Sequence, residues 1–137
     1  MKQEDKELLL KDLCARLPYG VKVLYENKVF NIDYISGIYE EIKLDIPDNY
    51  TIDIEDVKPY LFPISSMTEE QKRESPFESS LLNAFINGYI SLFEDEELTI
   101  DDLNGLYDWF NKNHFDYRGL IPLGLANDAT GLNIYSD

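Results

Sequence analysis

The chain contains one histidine, His114, and one cysteine, Cys14, so any imidazole or thiol chemistry must pass through these two residues. Asn113 adjoins His114 and Asp116 follows two residues on, which makes a His–carboxylate pair conceivable. A Ser–His–Asp or Cys14–His114 arrangement is recognised from geometry rather than chain order, and the G-x-S-x-G elbow of the hydrolases is absent. His114 therefore reads mainly as a helix-terminal residue, where a positive imidazole is favourable. Cys14 falls on an apolar helical stripe with no evident basic neighbour, so it reads as a buried structural thiol rather than a nucleophile. A single cysteine forms no internal disulfide, and one histidine with one cysteine cannot build an ordinary His/Cys zinc site. There is no G-x-x-x-x-G-K-[ST] phosphate cradle. On these grounds no catalytic residue, metal or cofactor is assigned.

Carboxylates are the other chemistry-bearing groups. The 137 residues carry 27 Asp and Glu against 12 Lys and Arg, a formal charge of −15. That excludes a general grip on phosphate backbones and electrostatic attachment to an anionic membrane, because both need a basic surface. Residues 26–56 and 94–128 each hold nine acids against two bases, and they flank a nearly neutral middle. The densest run is Glu94, Asp95, Glu96 and Glu97, followed by Asp101 and Asp102. Asp45, Asp48 and Asp53, or Asp95, Glu97 and Asp101, are loosely spaced oxygen ligands, but neither set has the Gly-6, Glu-12 pattern of an EF-hand. The acids are either a solvated surface or a face that docks on a basic partner, with long-range steering and salt-sensitive binding. Trp109 lies beside an apolar helical stripe and is either half-buried packing or an interface anchor. Glu94, Asp95, Glu96, Glu97, Asp101, Asp102 and Trp109 are thus the candidate partner-binding residues.

These residues must be positioned by one domain spanning 1–137, since the chain is short for two. Leu9, Leu10, Leu13, Cys14 and Leu17 share one face of a helix from about Glu4 to Arg16, closed by Pro18 and Gly20. Alternating runs follow at Val21–Glu26, Val29–Ile35, Ile38–Ile46 and Tyr50–Glu55, with a turn at Asn27-Lys28. A fifth run, Val57–Phe62, is placed at a sheet edge by Pro59. Short turns imply an antiparallel meander, and an SH3- or Sm-like small barrel satisfies the same pattern. From Ser65 the period turns helical. Ser66-Met67-Thr68-Glu69 and the charged run after it suggest a short exposed helix, and Ser75-Pro76-Phe77-Glu78 signals a helix to about Phe93. Thr99-Ile100-Asp101-Asp102 opens another to about Asn113. Phe115–Tyr135, with Gly119, Pro122, Gly124 and Gly131, reads as an irregular docked tail in which Arg118 pairs with an acid. The expected class is α+β: an N-terminal helix, four or five strands, two or three C-terminal helices and that tail.

Three stretches also resemble a known group. They are Leu9–Val21, containing Leu13-Cys14 and Leu17-Pro18-Tyr19-Gly20-Val21; Val57–Glu70, containing Val57-Lys58-Pro59-Tyr60-Leu61 and Ser65-Ser66-Met67-Thr68; and Asn113–Ala126, containing Asn113-His114-Phe115-Asp116-Tyr117-Arg118-Gly119. Together they are similar to small uncharacterised proteins encoded by phages, prophages and mobile elements of gut Bacteroidales. The resemblance transfers no catalytic residues. It implies an accessory protein in the cytoplasm of a bacterial host, which fits the absence of a secretory signal pattern or membrane-spanning apolar run. The leading expectation is a non-enzymatic module that binds a host protein with a basic surface; its finer form is a nucleic-acid mimic that blocks a nucleic-acid-binding enzyme such as a defence nuclease. The alternatives are a self-assembling phage component joined through Trp109 and neighbouring aromatics, and a small enzyme using His114.

Overall fold

The computed structural model describes residues 1–46, 51–87 and 99–135. The α+β class expected from the sequence is the class observed. An N-terminal helix, α1 (Gln3–Arg16), leads into the strands β1 (Lys22–Tyr25), β2 (Lys28–Ser36), β3 (Glu41–Leu44), β4 (Ile52–Asp53) and β5 (Lys58–Pro63). Among the described residues three helices follow: α2 (Glu69–Glu74), α3 (Ser79–Ile86) and α4 (Ile100–Lys112). Two short strands, β6 (Phe115–Asp116) and β7 (Asn127–Asp128), close the chain.

The sheet order is β4-β3-β2-β1-β5-β6, with β7 also paired to β5. The first four strands form an antiparallel meander, and β5 returns antiparallel beside β1 as a small barrel would require. Among the described residues β4 pairs only with β3, so the path is open. β6 and β7 join β5 in parallel, which makes the sheet mixed and seven-stranded rather than purely antiparallel. The Leu61 carbonyl accepts from the Ala129 amide, and the Phe62 amide donates to the His114 carbonyl. Consecutive strand residues point their backbone groups to opposite sides, so β7 and β6 lie on opposite edges of β5. The expectation that Pro59 marks an edge is therefore corrected: β5 is interior, and Pro59 faces Val23 where β1 ends its pairing. Proline is tolerated there because so few rungs are made on that side.

The β1–β2 turn is Glu26-Asn27, one residue earlier than expected, with Tyr25 opposite Lys28. Both turn residues have positive φ, 48° and 65°, as a two-residue turn matched to strand twist requires. β2 pairs with β1 through its first half and with β3 through its second. A register shift between Ile32 and Tyr34 bends it at the changeover.

Thr68 and Thr99 cap α2 and α4 with full capping boxes, closed by Gln71 and Asp102. The Ser75 signal is different from expectation. Ser75 ends α2, its hydroxyl accepts from the Phe77 amide, and α3 begins at Ser79 behind Glu78. A hydroxyl occupied in a local turn cannot cap a helix starting at Pro76. The expected extension to Phe93 lies outside the described residues.

Two hydrophobic clusters result. Leu9 and Leu13 of α1 pack on Val23, Ile42, Leu44, Ile54 and Leu61 of the sheet side, with Leu120 and Leu125 from the tail, which is docked as expected. Met67, Leu82, Leu106, Phe110 and Phe115 form the second cluster around α4.

The face that α1 buries is rotated from the sequence expectation. Its buried residues are Leu9, Asp12, Leu13 and Arg16, at helical spacing i, i+3, i+4, i+7. Cys14 is exposed, which corrects its reading as a buried thiol. Asp12 and Arg16 are fully buried instead, and Arg16 Nε donates to Asp12 Oδ2 at 2.8 Å. Arg16 Nη2 donates to the Phe115 carbonyl at 2.7 Å, linking residues 99 apart. Replacing Arg16 by Met should cost about 3–5 kcal/mol, because it strands the buried Asp12 carboxylate and the Phe115 carbonyl. Adding Asp12→Leu should restore much of that loss. Urea unfolding of both variants measures the coupling, and a single-variant loss under about 1 kcal/mol would show that the pair does not hold the fold.

Candidate functional site

The best-formed candidate site lies where α1, α3, α4 and the turn after β6 meet. Asp116 shapes that turn. It is nearly fully buried, and its two carboxylate oxygens accept from the Leu120 and Ile121 amides at 2.8 and 2.9 Å. Gly119 sits within the turn at φ 77°, a conformation that side-chain-bearing residues rarely adopt. The turn presents Tyr117 and Arg118 toward α1. Arg118 Nε lies 3.2 Å from Asp12 Oδ1, the acid partner expected for it, although the approach is too oblique for a hydrogen bond. Arg118 Nη2 donates to the Tyr117 hydroxyl at 3.0 Å. The Arg16 and Arg118 guanidinium carbons lie 5.3 and 5.0 Å from the Tyr117 ring centre, within cation–π range. Phe110 stacks on the same ring at 5.5 Å.

Burial pushes the Asp12 carboxyl above the ordinary carboxylate range, while Arg16 and then Arg118 draw it back down. One carboxylate thus sits between two guanidiniums. Beside this group opens a cleft of about 530 Å³. Leu8, Lys11 and Ala15 of α1 form one wall, and Tyr107 and Asn111 of α4 another. Phe85, Tyr117 and Arg118 complete it. Asn111 is 4% exposed and its Oδ1 has no hydrogen-bond partner.

The residues singled out in the sequence are dispersed. Glu94, Asp95, Glu96 and Glu97 lie outside the described residues. Asp101 and Asp102 are exposed in the first turn of α4, where acids suit the positive helix end, and Asp102 accepts from the Thr99 amide. Trp109 is half-buried and stacks on Phe115 at 5.6 Å with rings inclined by 24°. It packs the second cluster, the blander of its two readings. Of the loosely spaced cation ligands, Asp45 is engaged by Asn31, and Asp48 lies outside the described residues. Among the described residues no group of three His, Cys, Asp or Glu gathers around a common point. The described helices include none long and apolar enough to cross a membrane.

His114 follows the C-cap of α4 with φ 63°, as its helix-terminal reading implies. It is not a charged cap. Its ring stacks on Tyr135 with centres 3.6 Å apart and planes 11° apart. Burial, followed by the Arg16 and Lys22 charges, lowers its pKa to about 4, so the imidazole is neutral at pH 7. The expectation of a favourable imidazolium is corrected by that desolvation. Cys14 is equally unsuited to nucleophilic work, since partial burial pushes its thiol up and disfavours the thiolate.

Sequence reasoning missed the Asp12–Arg16–Arg118 group and the cleft beside it. The Asp12/Arg16 spacing of i,i+4 is the available signal, but an apolar stripe leaves both charges out. Comparison with known protein families, curated proteins and solved structures finds no match.

The His114 environment makes pH dependence testable. The unfolded chain takes up a proton near pH 6.5, whereas the folded chain does so only near 4. Between those values the unfolded state binds more protons, so the contribution of His114 is full above 6.5 and lost as pH falls through 4. Partial exposure reduces the effect to roughly 1–2 kcal/mol. Asn tolerates positive φ, so His114→Asn keeps the backbone and removes the titration. Urea unfolding across this window should show wild type losing stability relative to the variant; a constant difference between them would refute a buried neutral imidazole.

Proposed function

We propose that this protein is a non-enzymatic binding module that docks a basic surface of a partner protein through an acidic face. This suits an accessory role for a phage or mobile element acting in the cytoplasm of a bacterial host. The supporting observation is the solvent face of α4. Asp101, Asp102 and Asp108 are exposed there, and none makes an ion pair among the described residues. Asp101 and Asp108 are two turns apart, roughly 10 Å along the helix. The opposite face of the same helix is fixed by the fully buried Leu106 and Phe110. Carboxylates on a braced helix are pre-positioned, so less ordering entropy is lost on docking. Ile100, 76% exposed, adds an apolar contact at the same end.

Phosphate imitation is the finer form of this proposal: carboxylates held at fixed spacing compete with nucleic acid for a basic groove. The enzyme alternative gains no support from a neutral, ring-stacked His114. The test is a quantitative pull-down from host lysate at low and high salt, with bound proteins identified by mass spectrometry. It compares wild type with a variant in which Glu94, Asp95, Glu96, Glu97, Asp101 and Asp108 become amides. Asp102 is kept for its cap. A nucleic-acid-binding protein should be captured at low salt, released at high salt, and reduced about tenfold or more by the amides. Equal capture by the amide variant would sink the acidic-face reading.

A further inference from the structure

The cleft beside the arginine pair is lined by none of Asp101, Asp102 and Asp108, and its described charged residues are cationic. In a chain with 27 acids and 12 bases, its lining among the described residues holds Lys11 and Arg118 and no carboxylate. We propose that this cleft is a binding site for a small aromatic acid that carries an N–H or O–H donor on its ring.

Three observations converge on that class. The first is size and wall chemistry. A volume of about 530 Å³ falls within the range of small-molecule sites, and Leu8, Ala15 and Phe85 give it an apolar wall. The rings of Tyr107 and Tyr117 also line it, which suits a flat aromatic body.

The second is charge. Asp12 is shared by Arg16 and Arg118, so two guanidiniums face one buried carboxylate. Asp116, the other acid close by, is occupied by the Leu120 and Ile121 amides. Arg118 is preset by Asp12, by its bond to the Tyr117 hydroxyl and by the Tyr117 ring, while Lys11 is exposed and free to close on a ligand. A carboxylate between Lys11 and Arg118 completes the charge balance.

The third is the unmet acceptor. Asn111 follows Phe110 on the buried face of α4, and its Oδ1 lacks a donor among the described residues. Asn111 lines the cleft, and a ligand seated there that turns the buried amide outward brings the missing donor.

Indoleacetate and para-hydroxyphenylacetate supply all three features and serve as probes, with indoleacetamide as the uncharged control. Binding to the full chain is followed by NMR shift perturbation and calorimetry. Saturable binding by at least one acid, weakened about tenfold in the amide, is expected. Lys11→Glu lies on an exposed position and should weaken the acid about tenfold while leaving the amide unchanged. Ala15→Trp should block the cleft and abolish binding, and Asn111→Leu should reduce it about tenfold without unfolding the chain. Absence of saturable binding by both acids up to about 10 mM overturns the proposal. So does binding that survives Ala15→Trp, or that is indifferent to Lys11→Glu. None of these outcomes depends on the acidic face, which Lys11, Ala15 and Asn111 do not form.

Discussion

The guanidinium of Arg16 holds the two halves of this molecule together. It emerges from α1 with no solvent exposure, donates to Asp12 one turn earlier, and reaches the Phe115 carbonyl at the start of β6. Phe115 belongs to the aromatic cluster around α4, whereas Leu9 and Leu13, beside Arg16 on α1, belong to the sheet cluster. A buried cation is stable only when its donors find acceptors in good geometry. The two clusters must therefore meet where Arg16 can touch both. That requirement fixes the rotation of α1, the position of β6 and the path of the turn carrying Arg118. Arg16 Nη1 has no partner, and the adjacent Tyr117 ring compensates in part through its face.

The end of the described chain is held by a second junction. The Tyr135 hydroxyl donates to the Tyr60 carbonyl at 2.7 Å and accepts from the Lys22 amide at 2.9 Å. Its ring covers His114 on one side and lies 6.0 Å from Phe62. Burial holds its hydroxyl up at about 12, so it remains a donor throughout the physiological range. β1, β5 and the α4–β6 corner are thereby tied to one phenol. The same stack desolvates His114 and keeps the imidazole uncharged.

Much of the architecture was legible because local rules and tertiary packing agreed. Thr99 and Asp102 announce α4 through a capping box, and α1 ends at the Leu17-Pro18-Tyr19 turn before Gly20. The meander follows from period-two alternation. Legibility failed where a tertiary contact overrode the local pattern. Apolarity alone puts Cys14 inside, whereas the buried stripe contains Asp12 and Arg16, which pair with each other and of which Arg16 also needs the Phe115 carbonyl 99 positions away. Ser75 carried a good capping signal but closed a local turn instead. Pro59 implied an edge, yet β6 and β7 are two-residue strands inside an irregular tail and leave no periodic trace. The cleft was invisible for a related reason: its lining comes from four separate stretches of chain.

The distribution of charge follows from the same constraint. The bases in ion pairs are drawn inward or partly covered: Arg16 is fully buried, and the Lys6, Lys43 and Lys72 side chains are 20, 20 and 14% exposed beside Glu40 and Glu55, Asp33 and Glu69. Each such pair cancels an acid as well as a base, so the net charge of −15 is unchanged, and the unpaired exposed acids set the potential a partner meets. Pairs at the surface add little stability, so their main effect is on this field. The cleft beside Arg118 is the exception, because Asp12 is already shared between two arginines and cannot cancel both. Among the described residues, a fold with a buried arginine at its centre thus leaves unpaired acids on the solvent face of α4 and a recess lined by Lys11 and Arg118.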